Sequence, residues 1–308
     1  MDTHEIKKWA IIIGPVVGIL LALYLFSRTQ RGAEDVQAAM LGSPDEVACR
    51  RGDPNACMRF GMQVRIGRGV PKDATKAFVS FQAACGLGMQ EACAEEALAF
   101  SKGEGTAPDL TKAALLFESA CNGGIPRACR QLGDAKRDGR GTKYDEVAAS
   151  TLYAKACDAG DQGGCVEVGR EISAKDKTKA FELFKAACTA GEAKGCFYVA
   201  LAHRDGKGTP ANANKAGEAL HKACEGNEAL ACTELGKAYV AGSGVVQSRE
   251  KAAQYYLNAC KGDDAEGCYL LSKELEAKTI QAASVGTLGS AEELKAKACK
   301  GGIALACK

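Results

Sequence analysis

The sequence predicts an all-α protein: a solenoid of disulfide-linked helix–turn–helix repeats preceded by one transmembrane helix. Three observations predict it. Sixteen cysteines form eight pairs, each with seven residues between its members. From pair to pair the first cysteine advances by 36, 36, 36, 31, 36, 36 and 39 residues. Residues Trp9 to Phe26 are eighteen consecutive uncharged residues. The chain accordingly divides into 1–8, an N-terminal segment; 9–26, a membrane anchor; 27–36, a linker; and 37–308, the repeat array.

The pairs are Cys49/Cys57, Cys85/Cys93, Cys121/Cys129, Cys157/Cys165, Cys188/Cys196, Cys224/Cys232, Cys260/Cys268 and Cys299/Cys307. Residues eight apart on one helix lie about 12 Å apart, whereas a disulfide needs Cα atoms within roughly 7 Å. The chain must therefore reverse inside each pair. Three residues after the first cysteine stand Gly52, Gly88, Gly124, Gly160, Gly191, Asn227, Asp263 and Gly302. These types tolerate the left-handed conformation that ends a helix. The first cysteine thus closes one helix and the second opens the next. Two rival readings are reduced structural thiols and a metal site. Four-cysteine zinc sites usually join close-spaced C-x-x-C pairs, and the chain has none.

Between the cysteines the pattern is helical. Ala77, Ala113, Ala149, Ala180, Ala216, Ala252 and Ala291 stand eight positions before the first cysteine of a pair, and an alanine also stands one position before it. Phe81, Phe117, Tyr153, Phe184, Leu220 and Tyr256 stand four before it, which completes one apolar helical stripe. Four positions after the second cysteine stand the small residues Gly61, Ala97, Gly133, Gly169, Ala200, Gly236 and Ser272, which permit close helix approach. A G-x-G turn follows at Gly67/Gly69, Gly103/Gly105, Gly139/Gly141, Gly206/Gly208 and Gly242/Gly244. Each repeat therefore reads as helix A, glycine turn, helix B and a cysteine-clamped turn. A period of 36 suits helix-pair solenoids.

Two repeats depart from this pattern. The one from Cys165 to Cys188 lacks the G-x-G turn and is five residues short (36 − 31), so its inter-helix loop must be tight. The one from Cys268 to Cys299 is three residues long (39 − 36) and carries the looser segment 280–290. Only Lys308 follows Cys307, so the final disulfide is expected to replace the polar cap that open arrays need.

These repeats, for example CTELGKAYVAGSGVVQSREKAAQYYLNAC from Cys232 to Cys260, resemble Sel1-like repeats, relatives of tetratricopeptide repeats. The C-x7-C decoration resembles that of the cysteine-rich secreted proteins of this family first known from Helicobacter, and that of a mitochondrial intermembrane-space assembly factor. The resemblance runs from about Cys49 to Cys307. It implies a right-handed α-solenoid with a concave protein-binding face. It also implies a second possibility, because some bacterial relatives bind penicillins or weakly hydrolyse β-lactams.

The run at 9–26 spans about 27 Å, enough for a bilayer core. Trp9 and Tyr24 near its ends suit the membrane interfaces. It is longer than a signal-peptide core, and no small-x-small cleavage site follows it. Lys7 and Lys8 before it balance Arg28 and Arg31 after it, so flanking charge sets no orientation. The cysteines do, since stable disulfides need an oxidising space. A single-pass protein with a cytoplasmic N-terminus and periplasmic or otherwise exoplasmic repeats is expected. Gly14 and Gly18 form a G-x-x-x-G that suits helix pairing, with the kinking Pro15 inside it.

Forty basic against thirty-eight acidic residues, with no basic stripe, exclude a nucleic-acid partner. His4, His203 and His221 are isolated in sequence, which favours packing roles over the heme ligation suggested by the mitochondrial relative. Ser248-Arg249-Glu250-Lys251 matches S-x-x-K but lacks S-D-N and K-T-G. No catalytic residue, metal ligand or cofactor is assigned. The expected function is an adaptor, a monomeric solenoid binding a protein or extended peptide along helix A. Its outward positions include Arg59, Gln63, Glu95, Gln131, Asp134, Tyr198, Glu234 and Lys237. The alternatives are a β-lactam or cell-wall-fragment binder with weak β-lactamase activity, and a structural spacer.

Overall fold

The computed structural model describes residues 42–277 and 290–307. Among these residues it holds fifteen α-helices, one closing 3-10 turn and no strand. Two compact units divide the chain between Asp109 and Leu110. The first contains α1 (Pro44–Arg50), α2 (Pro54–Ile66), α3 (Ala74–Gly86) and α4 (Gln90–Lys102). The second begins with α5 (Leu110–Asn122), α6 (Pro126–Asp138), α7 (Glu146–Asp158), α8 (Gln162–Ile172) and α9 (Lys177–Thr189). It continues with α10 (Ala193–Asp205), α11 (Ala213–Glu225), α12 (Ala229–Ala241), α13 (Arg249–Lys261), α14 (Ala265–Glu276) and α15 (Ala291–Lys300), and ends in the turn Ala304–Cys307. Each unit is an α-solenoid stack in which consecutive helices pack side by side.

The local sequence accounts for each boundary. Asp73, Asp145, Asp176, Asn212 and Ser248 cap helix B by accepting the amide three residues on, at 2.9 to 3.2 Å. Gly67, Gly103, Gly139, Gly206 and Gly242 end helix A with φ between 66° and 76°. At the cysteine turns the residues expected to be left-handed are so, including the two non-glycines, Asn227 at φ 66° and Asp263 at φ 63°.

Eight disulfides join Cys49 to Cys57, Cys85 to Cys93, Cys121 to Cys129, Cys157 to Cys165, Cys188 to Cys196, Cys224 to Cys232, Cys260 to Cys268 and Cys299 to Cys307. Their Cα atoms are 4.4 to 4.9 Å apart, and no cysteine is free among the described residues. In four bridges, Cys49–Cys57, Cys85–Cys93, Cys157–Cys165 and Cys188–Cys196, only the second half is buried. Cys57, Cys93, Cys129, Cys165, Cys196, Cys232 and Cys268, which open helix A, are all buried. Of the cysteines that close the preceding helix, Cys121, Cys224 and Cys260 are buried, whereas Cys49, Cys85, Cys157, Cys188 and Cys299 are half-buried. The asymmetry follows from packing: helix A enters the stack with its cysteine facing inward, while helix B leaves at the corner.

The alanine before the first cysteine is fully buried at Ala84, Ala120, Ala156, Ala187, Ala223, Ala259 and Ala298. The ring four positions before that cysteine lies on the small residue of helix A. A Cβ added to Gly61, Gly133, Gly169 or Gly236 would stand 2.4 to 2.7 Å from Phe81, Tyr153, Phe184 or Tyr256. Glycine is the residue that lets each ring lie against the backbone.

The second glycine of the turn joins successive repeats. A Cβ on Gly105, Gly141, Gly208 or Gly244 would stand 2.0 to 2.1 Å from the carbonyl oxygen of Ala74, Leu110, Lys177 or Ala213, the first residue of helix B in the preceding repeat. Repeat four has no such turn. Its α8 ends at Ile172, and Lys175 and Asp176 fold back by donating their amides to the Ile172 carbonyl at 2.9 and 2.8 Å. The first turn of α7 is left without the glycine neighbour that α5, α9 and α11 have.

The apolar run 9–26 and most of the segment 280–290 lie outside the described residues. Among the described residues no helix is long and apolar enough to cross a membrane.

Candidate functional site

The gap left by the missing turn is a cleft of about 670 Å³ in repeats three to five, entirely within the second unit. Its floor is apolar, built from Ala149, Ala180, Phe181, Phe184, Tyr198 and Leu201. Phe184 and Tyr198 are stacked, with ring centroids 4.8 Å apart. Its rim is charged, with Arg137, Arg170, Lys177 and Lys207 against Glu146, Glu167, Glu171 and Asp205. A concave apolar floor with a few convergent polar groups is the usual form of a binding site.

Glu167 organises this rim. It is 4% exposed, and its carboxylate accepts from Arg137 Nη1 at 2.8 Å, Lys194 Nζ at 2.5 Å and Arg170 Nη1. Burial opposes its ionisation, but the three cations, Lys194 foremost, outweigh burial and hold its pKa below the usual carboxylate value. Asp134 behaves oppositely: burial raises its pKa despite the Tyr153 hydroxyl, which donates to it at 2.9 Å, and Arg137 at 3.4 Å. Arg137 also covers the Tyr153 ring at 5.6 Å, and Arg170 covers Tyr198 at 5.9 Å. Asp205 accepts from Arg204 at 2.8 Å and Lys207 at 2.9 Å, which lowers its pKa to about 2.

A second cleft of about 410 Å³ adjoins the first through Leu201 and is lined by Arg204, Leu220, Glu234, Lys237 and Ser243 among others. Here Glu234 bridges Arg204 at 2.7 Å and Lys237 at 2.9 Å, and Lys237 also reaches Glu266 at 2.7 Å.

The expected helix A residues fare differently from one another. Tyr198, Glu234 and Lys237 line the two clefts, and Asp134 reaches the first through Arg137. Gln131 is half-buried. Arg59 and Gln63, in the first unit, are both engaged with Asp45, at 2.8 Å each. Glu95 corrects the expectation of an outward position: it is 3% exposed and bridges Arg65 at 2.6 Å. The reason is that position two after the second cysteine meets the end of the preceding helix A, where Arg65 stands.

The sixteen cysteines hold the disulfide role expected of them. Cys57, Cys93, Cys129 and Cys196 are at most 4% exposed, and Cys165, Cys232 and Cys268 are likewise buried, so none of them offers a surface to a ligand. The sulfurs of Cys93, Cys129 and Cys196 lie 3.6 to 3.8 Å from the carbonyl oxygens of Cys85, Cys121 and Cys188. A bridged sulfur carries no proton, so these are packing contacts. The bridges belong to the core that shapes the clefts and not to the clefts themselves, since no cysteine lines either one.

Sequence reasoning did not single out Arg137, Glu167, Arg170 and Lys194. The signal was present: Arg65, Arg137 and Arg204 stand eight after a second cysteine, and Glu95, Glu167 and Glu234 stand two after the next.

The remaining motifs are structural. Ser248 caps α13, accepting from the Lys251 amide at 3.2 Å and donating to Glu250 at 2.9 Å, while Lys251 Nζ lies 5.4 Å from the Tyr239 ring centroid. His203 is buried edge-on against Phe181, and His221 sits between the Tyr239 and Tyr255 hydroxyls at 3.1 and 3.2 Å. Among the described residues no group of three or more His, Cys, Asp or Glu is placed to hold a metal ion.

Comparison with known proteins gives the fold a family. The Sel1 repeat model matches residues 54–89, 90–125, 126–161, 165–192, 193–228 and 229–264. A Sel1 repeat protein from Oxalobacter formigenes is similar in structure at 20% identity and TM-score 0.61, over 77% of this chain and 96% of its own. A protective antigen present in uropathogenic Escherichia coli strains is similar at 21% identity and TM-score 0.53, over 85% of this chain; the chain spans 57% of that protein's length. The cysteine-rich protein B of Helicobacter pylori matches 41% of this chain and 97% of its own at 21% identity and TM-score 0.31. No curated protein matches the chain. With six repeat matches over most of its length, the chain belongs to the Sel1 repeat family.

Proposed function

We propose that this protein is a disulfide-stapled scaffold that binds an extended segment of a partner protein across repeats three to six. Residues 9–26 tether it to a membrane, and the repeats occupy an oxidising exoplasmic space, where eight disulfides persist. The observation that carries this reading is the cleft at the missing turn of repeat four, continued into a second cleft through Leu201. The disulfides hold each B–A corner, so the clefts are rigid before a partner arrives and little ordering cost falls on the protein.

Site-specific photo-crosslinking tests this. A benzophenone side chain in place of Lys177 or Lys207 on the cleft rim is expected to capture a discrete protein in intact cells. The same group at Leu115, which is 62% exposed on α5, is expected not to. Equal labelling at all three positions, or no captured protein from either rim position, removes the reading.

A further inference from the structure

We propose that the first cleft selects a segment carrying a cationic side chain beside a large apolar one, an inference that rests on the peptide-binding reading above. Formal charges on the rim balance, four against four, but their engagement does not. Arg137 and Arg170 are held by Glu167, and Lys207 by Asp205. Two lining carboxylates remain. Glu146 accepts only from the Tyr144 hydroxyl at 3.1 Å, and Glu171 only from the Ser150 hydroxyl at 2.9 Å. Neither forms an ion pair among the described residues. Against them stands Lys177, the one lining cation without a carboxylate partner among the described residues.

The cleft therefore offers two carboxylates without a cation, against one such ammonium, over an aromatic and aliphatic floor. A ligand cation at Glu146 and Glu171 loses little hydration, because both carboxylates are exposed at the mouth. Its apolar neighbour covers the stacked Phe184 and Tyr198. An acidic segment meets both carboxylates and is rejected, which is where charge complementarity yields specificity.

The test uses random dodecapeptides displayed on phage, panned against the full chain in detergent micelles. Enriched peptides are then synthesised and measured by fluorescence anisotropy. They are expected to place Lys or Arg within three residues of Phe, Leu or Trp. Joint Glu146→Gln and Glu171→Gln substitution is expected to weaken them about tenfold or more, and added salt to weaken the wild type likewise. Ala174→Tyr fills the cleft from an exposed position and is expected to abolish binding. Peptides lost in Ala174→Tyr but indifferent to the double glutamine variant, or rich in acidic residues, overturn the cationic specificity and leave the cleft reading standing. Peptides indifferent to both variants, or no enrichment at all, overturn both.

Discussion

Arg137 Nη1 lies 2.8 Å from Glu167 Oε2, joining the end of one helix A to the start of the next. The same pair recurs as Arg65–Glu95 at 2.6 Å and Arg204–Glu234 at 2.7 Å, each 30 residues apart in sequence. It skips alternate repeats: Ser101, Ser173 and Val240 occupy the arginine position in repeats two, four and six. The pair thus links repeats one to two, three to four and five to six, helix A to helix A. Arg170 of repeat four and Lys194 of repeat five converge on Glu167 as well.

Glu167→Gln is expected to destabilise the fold by about 1–2 kcal/mol: the carboxylate is buried, but Arg137, Arg170 and Lys194 are each a third or more exposed, so water screens much of the loss. Urea denaturation checks this. Because the folded pKa of Glu167 is lowered from its ordinary 4.5, its contribution is fully present above that pH and is lost as pH falls through the folded value. The gap between wild type and variant should close in acid. A gap that persists unchanged at pH 3 contradicts the assignment.

Gly141→Ala and Gly69→Ala separate strain from crowding. Both glycines have positive φ, at 72° and 73°, but an added Cβ meets the Leu110 carbonyl at 2.0 Å in the first and nothing within 4 Å in the second. Gly69→Ala should cost about 1 kcal/mol for the left-handed backbone alone. Gly141→Ala should cost roughly 1–3 kcal/mol more, since backbone must shift to make room. Equal losses in thermal melts would remove the inter-repeat contact as the reason for the second glycine.

Gly236→Ala drives a Cβ to 2.4 Å from the Tyr256 ring. In the preceding repeat the corresponding pair is Ala200 and Leu220, both buried. Tyr256→Leu combined with Gly236→Ala should thus be less damaging than the two separate losses summed, with a coupling of about 1–2 kcal/mol. Additive losses in the double-mutant cycle would mean that the ring and the glycine do not constrain each other.

Replacing Cys157 and Cys165 together by serine should cost about 2–3 kcal/mol, the loop-closure entropy of so short a bridge. Hydrogen exchange should quicken first at the corner between α7 and α8. Uniform loosening across all repeats would argue against local clamping.

Much of the fold was legible because its determinants are local. The spacing of the cysteines forced a reversal, and Asn227 and Asp263 stood where a left-handed residue was required. The G-x-G turns read as helix ends, and they are. The short repeat was also visible, as a five-residue deficit at Cys165–Cys188. What that deficit removes was not visible. The lost glycine belongs to repeat four, but the surface it would have covered belongs to α7 of repeat three.

By itself the sequence determined an all-α array of stapled helix pairs, since turn chemistry, helix period and disulfide reach act within a few residues. Only the tertiary structure decided where the array opens, how deeply each bridge is sealed in the core, and which charges remain unpaired. Glu95, Glu167 and Glu234 share one position in the repeat, yet the first two are buried and the third is half-exposed. Beside the local partners Arg170 and Lys237, their ion pairs reach cations 27 to 30 residues away, and helix period alone does not state which distant cation a buried carboxylate will meet.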